Sequence, residues 1–199
     1  MKEQWNERFS ENGFAYGSEP NEFFKEQLGK LPAGKILLLA EGEGRNGVYA
    51  ASKGWSVDAY DFSESGKEKA MSLAKLNGVS INYSIHPLED IGLPLNYYDA
   101  IGLIYVHMGD NLRCHIAKKV INALKPGGTL ILECFDKDQL GKSSGGPKEE
   151  GLLYSLENAV NDYSDLDSRL LAKETIMLNE GTYHIGEAVV IRFVGVNVE

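Results

Sequence analysis

A short apolar run that breaks into glycines constrains this chain more than any other feature. Ile36-Leu37-Leu38-Leu39-Ala40 contains no polar residue, and Glu41-Gly42-Glu43-Gly44-Arg45-Asn46-Gly47 follows at once. Such a run, bounded by glycines, reads as a strand buried on both faces, which belongs in a parallel sheet. Gly42, Gly44 and Gly47 satisfy the G-x-G-x-x-G spacing. Glycines there permit a tight turn and close approach of a ligand to the backbone, and the helix that follows offers its N-terminus to polar groups. Asp61 ends the next stretch, 19 residues after Gly42, where a carboxylate can accept hydrogen bonds from ribose hydroxyls. Loop and acid together point to an adenosine-containing cofactor without saying which one.

The remaining elements alternate. A helix over 46–53, a strand over 55–60, a helix over 64–77 opened by a Ser65-x-x-Glu68 capping box, and strands over 81–85 and 98–106 follow in turn. Leu112, Ile116, Val120 and Leu124 recur every fourth residue on a helix. Lys125-Pro126-Gly127-Gly128 then separates it from a strand over 129–135, and Ser155 caps a short helix running to Tyr163. Strands over 168–178 and 185–196, joined by Asn179-Glu180-Gly181-Thr182, form a hairpin. This order predicts an α/β, doubly wound, mostly parallel seven-stranded sheet with a C-terminal antiparallel hairpin. The whole of 1–199 reads as one domain: an N-terminal aromatic cap (1–30), a cofactor-binding core (31–135), and a substrate loop with the terminal hairpin (136–199).

Composition narrows the function. With 43% hydrophobic and 25% charged residues the 199-residue chain has the make-up of a folded domain. Its net charge of −9 disfavours nucleic acid as the main partner. No apolar run reaches the roughly 18 residues that span a bilayer, and Met1 to Glu7 has no signal-peptide core. Two cysteines, Cys114 and Cys134, suit a reduced, cytoplasmic protein acting on a small soluble substrate. A nicotinamide enzyme would need a second nucleotide-binding half, for which 199 residues leave little room. Glu41 and Glu43 would also repel a pyrophosphate and tolerate a sulfonium and an ammonium, which favours S-adenosylmethionine.

The sequence resembles the class I S-adenosylmethionine-dependent methyltransferases, in particular the tellurite-resistance and thiopurine-methyltransferase-like branch. The resemblance rests on Leu39-Ala40-Glu41-Gly42-Glu43-Gly44-Arg45-Asn46, Asp61-Phe62-Ser63, Leu124-Lys125-Pro126-Gly127-Gly128, Gly145-Gly146-Pro147-Lys148 and the aromatic preface Trp5 to Pro20. It implies that backbone around Ala40, Glu41, Gly42 and Gly44 holds the methionine part of the cofactor, with Asn46 also among the cofactor-binding residues. It further implies that Asp61 binds the ribose with Phe62 beside the adenine, and that Leu88, Glu89 and Asp90 flank the adenine edge. Tyr105, Val106 and His107 would lie near the transferable methyl, with Tyr16 and Trp5 closing over the cofactor. One departure stands out: Leu38 and Ala40 occupy the places where the pattern has an acid and its first glycine. Methyl transfer to a small acceptor is implied, including a soft sulfur, selenium or tellurium nucleophile that needs no strong base. A nicotinamide-dependent oxidoreductase and a catalytically silent cofactor-binding module are the rivals.

Other chemical-looking patterns dissolve on inspection. Gly141-Lys142-Ser143-Ser144-Gly145 matches a nucleophile elbow but lacks the strand before it and the helix after it. His86, His107, His115 and His184 have no metal-ligand spacing. His107, at the carboxyl edge of the sheet, is the candidate base, with Tyr105 beside it, against the alternative of a structural histidine bonded to a carbonyl. Lys137, Lys142 and Lys148 give the substrate loop a positive cast that would attract an anionic acceptor.

Overall fold

The computed structural model describes residues 2–198. Its single sheet has seven strands, β1 (Lys35–Leu39), β2 (Ser56–Asp61), β3 (Asn82–Ile85), β4 (Tyr98–Ile104), β5 (Leu124–Phe135), β6 (Asp167–Glu180) and β7 (His184–Val196), in the order β3-β2-β1-β4-β5-β7-β6. The first five are parallel to one another, whereas β7 runs antiparallel to both β5 and β6. The helices are α1 (Lys2–Ser10), α2 (Glu22–Leu28), α3 (Arg45–Ser52), α4 (Glu64–Leu76), α5 (Asp110–Ala123) and α6 (Leu156–Asp162).

The central run is apolar throughout because both faces of β1 are covered. Leu37 and Leu39 point into a core shared with Ile101, Leu103, Ile116, Val120 and Leu132. Ile36 and Leu38 point the other way, into a core with Phe24, Val48, Ala59, Ala70 and Leu73. Each side chain so buried contributes roughly 1.5–3 kcal/mol. Leu38, where an acid was the usual expectation, is 1% exposed. Its tip fills the space above Gly102, where an added Cβ would sit 2.5 Å from Leu38 Cδ2. The departure is therefore a packing solution.

Strand order reverses at β1, with β2 on one side and β4 on the other. Ligands of open α/β sheets bind at the carboxyl ends of the strands flanking such a reversal.

Local readings shift in three places. The capping residue of α4 is Ser63, whose hydroxyl accepts the Gly66 N–H, and not Ser65. Asn6 holds the same end, accepting from the Ser63 hydroxyl and from the Glu64 N–H. Lys125 to Gly128 does not break the chain but forms the irregular start of β5, pinned by Gly127 N–H donating to the Asn197 carbonyl. The aromatic preface folds into α1 and α2.

Candidate functional site

The β1–α3 turn is strained by design. Ala40, Gly42 and Gly44 have φ of 51°, 60° and 88°. Only glycine adopts such angles without steric cost, so Ala40 stores strain at the mouth of the site. A Cβ at Gly44 would lie 2.6 Å from Ala70 Cβ, and one at Gly42 would meet the Phe9 ring at 3.0 Å. These glycines thus admit α4 and α1 to close packing. The Gly42 N–H donates to Asp61 Oδ2 at 2.9 Å, and the Ser63 N–H donates to Oδ1 at 2.8 Å. Burial raises the Asp61 carboxyl above its usual range against the pull of these N–H groups.

The two loop glutamates turn out to be structural ties. Glu41 Oε1 accepts the Gly47 N–H at 2.6 Å, inside the first turn of α3. Burial pushes its carboxyl up to about 7, with the Gly47 N–H and Arg45 opposing. Glu43 accepts the Ala15 N–H at 2.8 Å and pairs with Lys69 at 2.8 Å. Asn46 spends its amide oxygen on the Asn21 N–H, joining α3 to the start of α2.

The aromatic cap comes together over the same edge. Trp5 packs on Phe9 and Tyr16 with ring centroids 5.4 and 6.2 Å apart, and the Tyr16 hydroxyl accepts from Arg8 at 2.8 Å. Phe62, next to Asp61 in the chain, and Leu88 are half-buried, whereas Glu89 and Asp90 are exposed. Tyr105 follows β4 with φ of 55° and stacks on Phe135 at 4.6 Å. Its hydroxyl is sealed from solvent with the Glu133 and Glu180 carboxylates as its charged neighbours, and it makes no hydrogen bond of good geometry to any described residue. A buried hydroxyl without a well-formed hydrogen bond costs roughly 1–3 kcal/mol.

His107 matches the structural alternative. Its Nδ1 lies 2.9 Å from the Leu152 carbonyl, so Nδ1 carries the proton, and Nε2 accepts the Phe135 N–H at 3.4 Å. Both nitrogens are engaged by backbone, and burial pushes the imidazole down to about 4. Of the loop lysines, Lys142 is paired with Glu187 at 2.7 Å, while Lys137 and Lys148 are exposed.

Sequence reasoning missed a second histidine. His184 opens β7 directly across from Glu180, the last residue of β6, and its Nδ1 lies 3.2 Å from Glu180 Oε2. Glu180 also receives Arg45 at 3.0 Å and Asn21 at 3.3 Å. Behind them the wholly buried Glu133 takes Asn21 and Arg192, both at 2.6 Å. The available signal was the acid–histidine spacing across the hairpin turn, which becomes meaningful only once the register is known. Among the described residues no group of three or more His, Cys, Asp or Glu is placed to hold a metal ion, and no helix is long and apolar enough to cross a membrane.

Comparison with known proteins agrees with this geometry. The profile of the family described as "Methyltransferase domain" matches residues 36–128. A ubiquinone biosynthesis O-methyltransferase of Rickettsia conorii is 26% identical over 141 residues, covering 71% of this chain and 48% of the relative. One from Rickettsia felis is 27% identical over 130 residues, covering 65% of this chain and 53% of the relative. The chain thus spans about half the length of the curated relatives it matches. Among solved structures, an S-adenosylmethionine-dependent methyltransferase from Methanosarcina mazei superposes with a TM-score of 0.72 at 14% identity, covering 90% of this chain and 99% of the other. TehB from Haemophilus influenzae superposes with 0.74 at 13% identity, covering 98% of this chain and 66% of the other. Residues 36–128 thus match the methyltransferase-domain family, and the sheet built around them has the fold of the solved methyltransferase structures.

Proposed function

We propose that this protein transfers a methyl group from S-adenosylmethionine to a small-molecule acceptor bound at the carboxyl edge of the sheet, between Tyr105 and the β6–β7 turn. The observation that carries the reading is Asp61: a buried carboxylate at the tip of β2, oriented by two backbone N–H groups, with lone pairs to spare for vicinal hydroxyls. The donor set fits an adenosine cofactor, and the buried Tyr105 hydroxyl stands two strands away, where an acceptor would lie. S-adenosylmethionine supplies an electrophilic methyl on a sulfonium. The chain's part is to align acceptor and methyl and to exclude water with the Trp5–Phe9–Tyr16 cap; alignment alone supplies about 7–11 kcal/mol in well-oriented systems.

The antiparallel β6–β7 pair stands where a nicotinamide enzyme would build its second nucleotide half. A soft sulfur, selenium or tellurium acceptor would need only that alignment. The curated relatives, by name, methylate oxygen, and an oxygen acceptor calls for a base as well.

Calorimetric titration tests the reading. S-adenosylhomocysteine binds in the micromolar range, NADH does not, and Asp61→Asn weakens S-adenosylhomocysteine by about 10- to 100-fold. Binding of NADH instead, or an unchanged affinity in a folded Asp61→Asn variant, overturns it.

A further inference from the structure

Three aromatic rings and a glycine enclose His184. Tyr16 lies 4.4 Å from it between ring centroids, Tyr105 4.7 Å and Phe135 5.3 Å. The fourth wall is the loop after β5: a Cβ at Gly145 would stand 2.5 Å from His184 Cδ2 and 3.1 Å from Nε2, and one at Gly146 would meet the Phe135 ring at 3.0 Å. The glycine pair therefore lets the loop come down onto this edge while leaving the space before Nε2 free of side chain.

The ring is held in one tautomer. Ionised Glu180 can only accept, so the proton between them sits on Nδ1 and Nε2 keeps its lone pair, on the side of the ring that Gly145 approaches. Burial disfavours the Glu180 carboxylate, but His184 and Arg45 beside it outweigh that and hold its carboxyl below the usual range. Burial moves the His184 imidazole down, with Glu180 opposing and Arg45 and Arg8 assisting, so the ring is neutral near pH 7. Nε2 makes no hydrogen bond to any described residue, unlike both nitrogens of His107. The Tyr105 hydroxyl, buried without a well-formed hydrogen bond, belongs to the ring packed against it.

We propose that His184 is the general base of the transfer, that Glu180 is its positioning residue, and that the Tyr105 hydroxyl binds the reacting oxygen, so the acceptor is a phenolic hydroxyl lying among the rings of Tyr16, Tyr105 and Phe135. This rests on the methyltransferase reading above. The acceptor O–H bond breaks with its proton passing to Nε2 and its electron pair staying on oxygen. An oxygen–carbon bond to the methyl forms as the carbon–sulfur pair returns to sulfur, leaving a methyl ether, a neutral thioether and an imidazolium beside Glu180. Base assistance of this kind is worth on the order of 10²–10⁴ in rate.

The test uses 4-nitrocatechol, whose absorbance reports phenol ionisation, with the protein saturated in S-adenosylhomocysteine so that no turnover is needed. Wild type binds the probe and shifts it toward the phenolate, and histidine ¹⁵N spectra show Nε2 of His184 unprotonated before the probe is added and protonated after. His184→Gln binds S-adenosylhomocysteine as wild type does but loses the phenolate band. Glu180→Gln keeps the probe in place and shifts the His184 tautomer equilibrium toward Nε2–H. An undiminished phenolate band in His184→Gln, a protonated Nε2 in the probe-free wild type, or no probe binding to the loaded protein overturns the proposal. Failure to bind S-adenosylhomocysteine at all overturns instead the methyltransferase reading beneath it.

Discussion

Glu41 ties the pH response of the fold to the entrance of the site. Its carboxyl is buried under α3, accepts the Gly47 N–H, and is pushed up to about 7 from an ordinary value of 4.5. The folded state therefore holds this proton more tightly than the unfolded chain. Stability is highest where both states are protonated and falls as pH rises through the interval from 4.5 to about 7. The two pKa values place the loss between pH 5 and pH 8 at about 2.5 kcal/mol. His107 works in the opposite sense: its imidazole is neutral in the fold down to about 4, so it adds stability as pH rises toward 6.5. Wild type alone would show the two partly cancelling. The difference between wild type and Glu41→Gln isolates the first, because the amide retains an oxygen for Gly47 but does not ionise. Urea unfolding of both proteins at pH 5, 6, 7 and 8 should show Glu41→Gln gaining about 2.5 kcal/mol on wild type across the series, roughly a 1 M difference in midpoint at an m-value of about 2.5 kcal/mol/M. A gap between the two proteins that is constant with pH would mean that Glu41 stays ionised throughout, the helix N–H groups winning over burial, and would refute the reasoning.

Leu38→Asp restores the acid of the common pattern but puts an unpaired carboxylate among Phe24, Val48 and Ala59, and should cost at least about 3 kcal/mol in urea unfolding. Gly44→Ala meets Ala70 at a left-handed φ of 88°, and about 2–4 kcal/mol of stability should be lost, read in the same assay. His107→Gln should lower the melting temperature by loosening the Leu152 and Phe135 contacts yet leave the S-adenosylhomocysteine dissociation constant unchanged in calorimetry; a large loss of affinity would return His107 to the site. Gly145→Ala should retain S-adenosylhomocysteine binding and weaken 4-nitrocatechol, because its methyl would point at the His184 ring.

Much of the scaffold was readable because it depends on local pattern. Ile36 to Ala40 announced a two-sided strand, and two cores on opposite faces of β1 account for it. Asp61 was readable for the same reason, since a strand end plus an acid is a local fact. Side-chain direction was not. Glu41 and Glu43 suggested a field for a cationic ligand, yet their oxygens are spent on Gly47, Ala15 and Lys69. Nothing in the spacing distinguishes a carboxylate that faces a ligand from one that turns under a helix. His107 and His184 were ranked by sequence position, with His107 favoured for following an apolar strand. Our proposal turns to His184 because the surroundings of each ring depend on contacts distant in sequence: Leu152 lies 45 residues from His107, and the rings that enclose His184 come from three separate segments.

The placement of β7 has a consequence for synthesis. β6 joins the sheet only through β7, which lies between it and β5. On the ribosome β6 emerges first and has no strand to pair with until β7 follows. Its row of free N–H and C=O groups then waits beside the equally bare edge of β5, an invitation to pair with another nascent chain. Arg169, Lys173 and Glu174 punctuate β6 with charge and would discourage that. Glu180 and His184 flank the turn between these two strands, so their alignment with Tyr105 awaits the closing of the hairpin. A chain interrupted before β7 would carry the glycine loop and Asp61 without the Glu180–His184 pair.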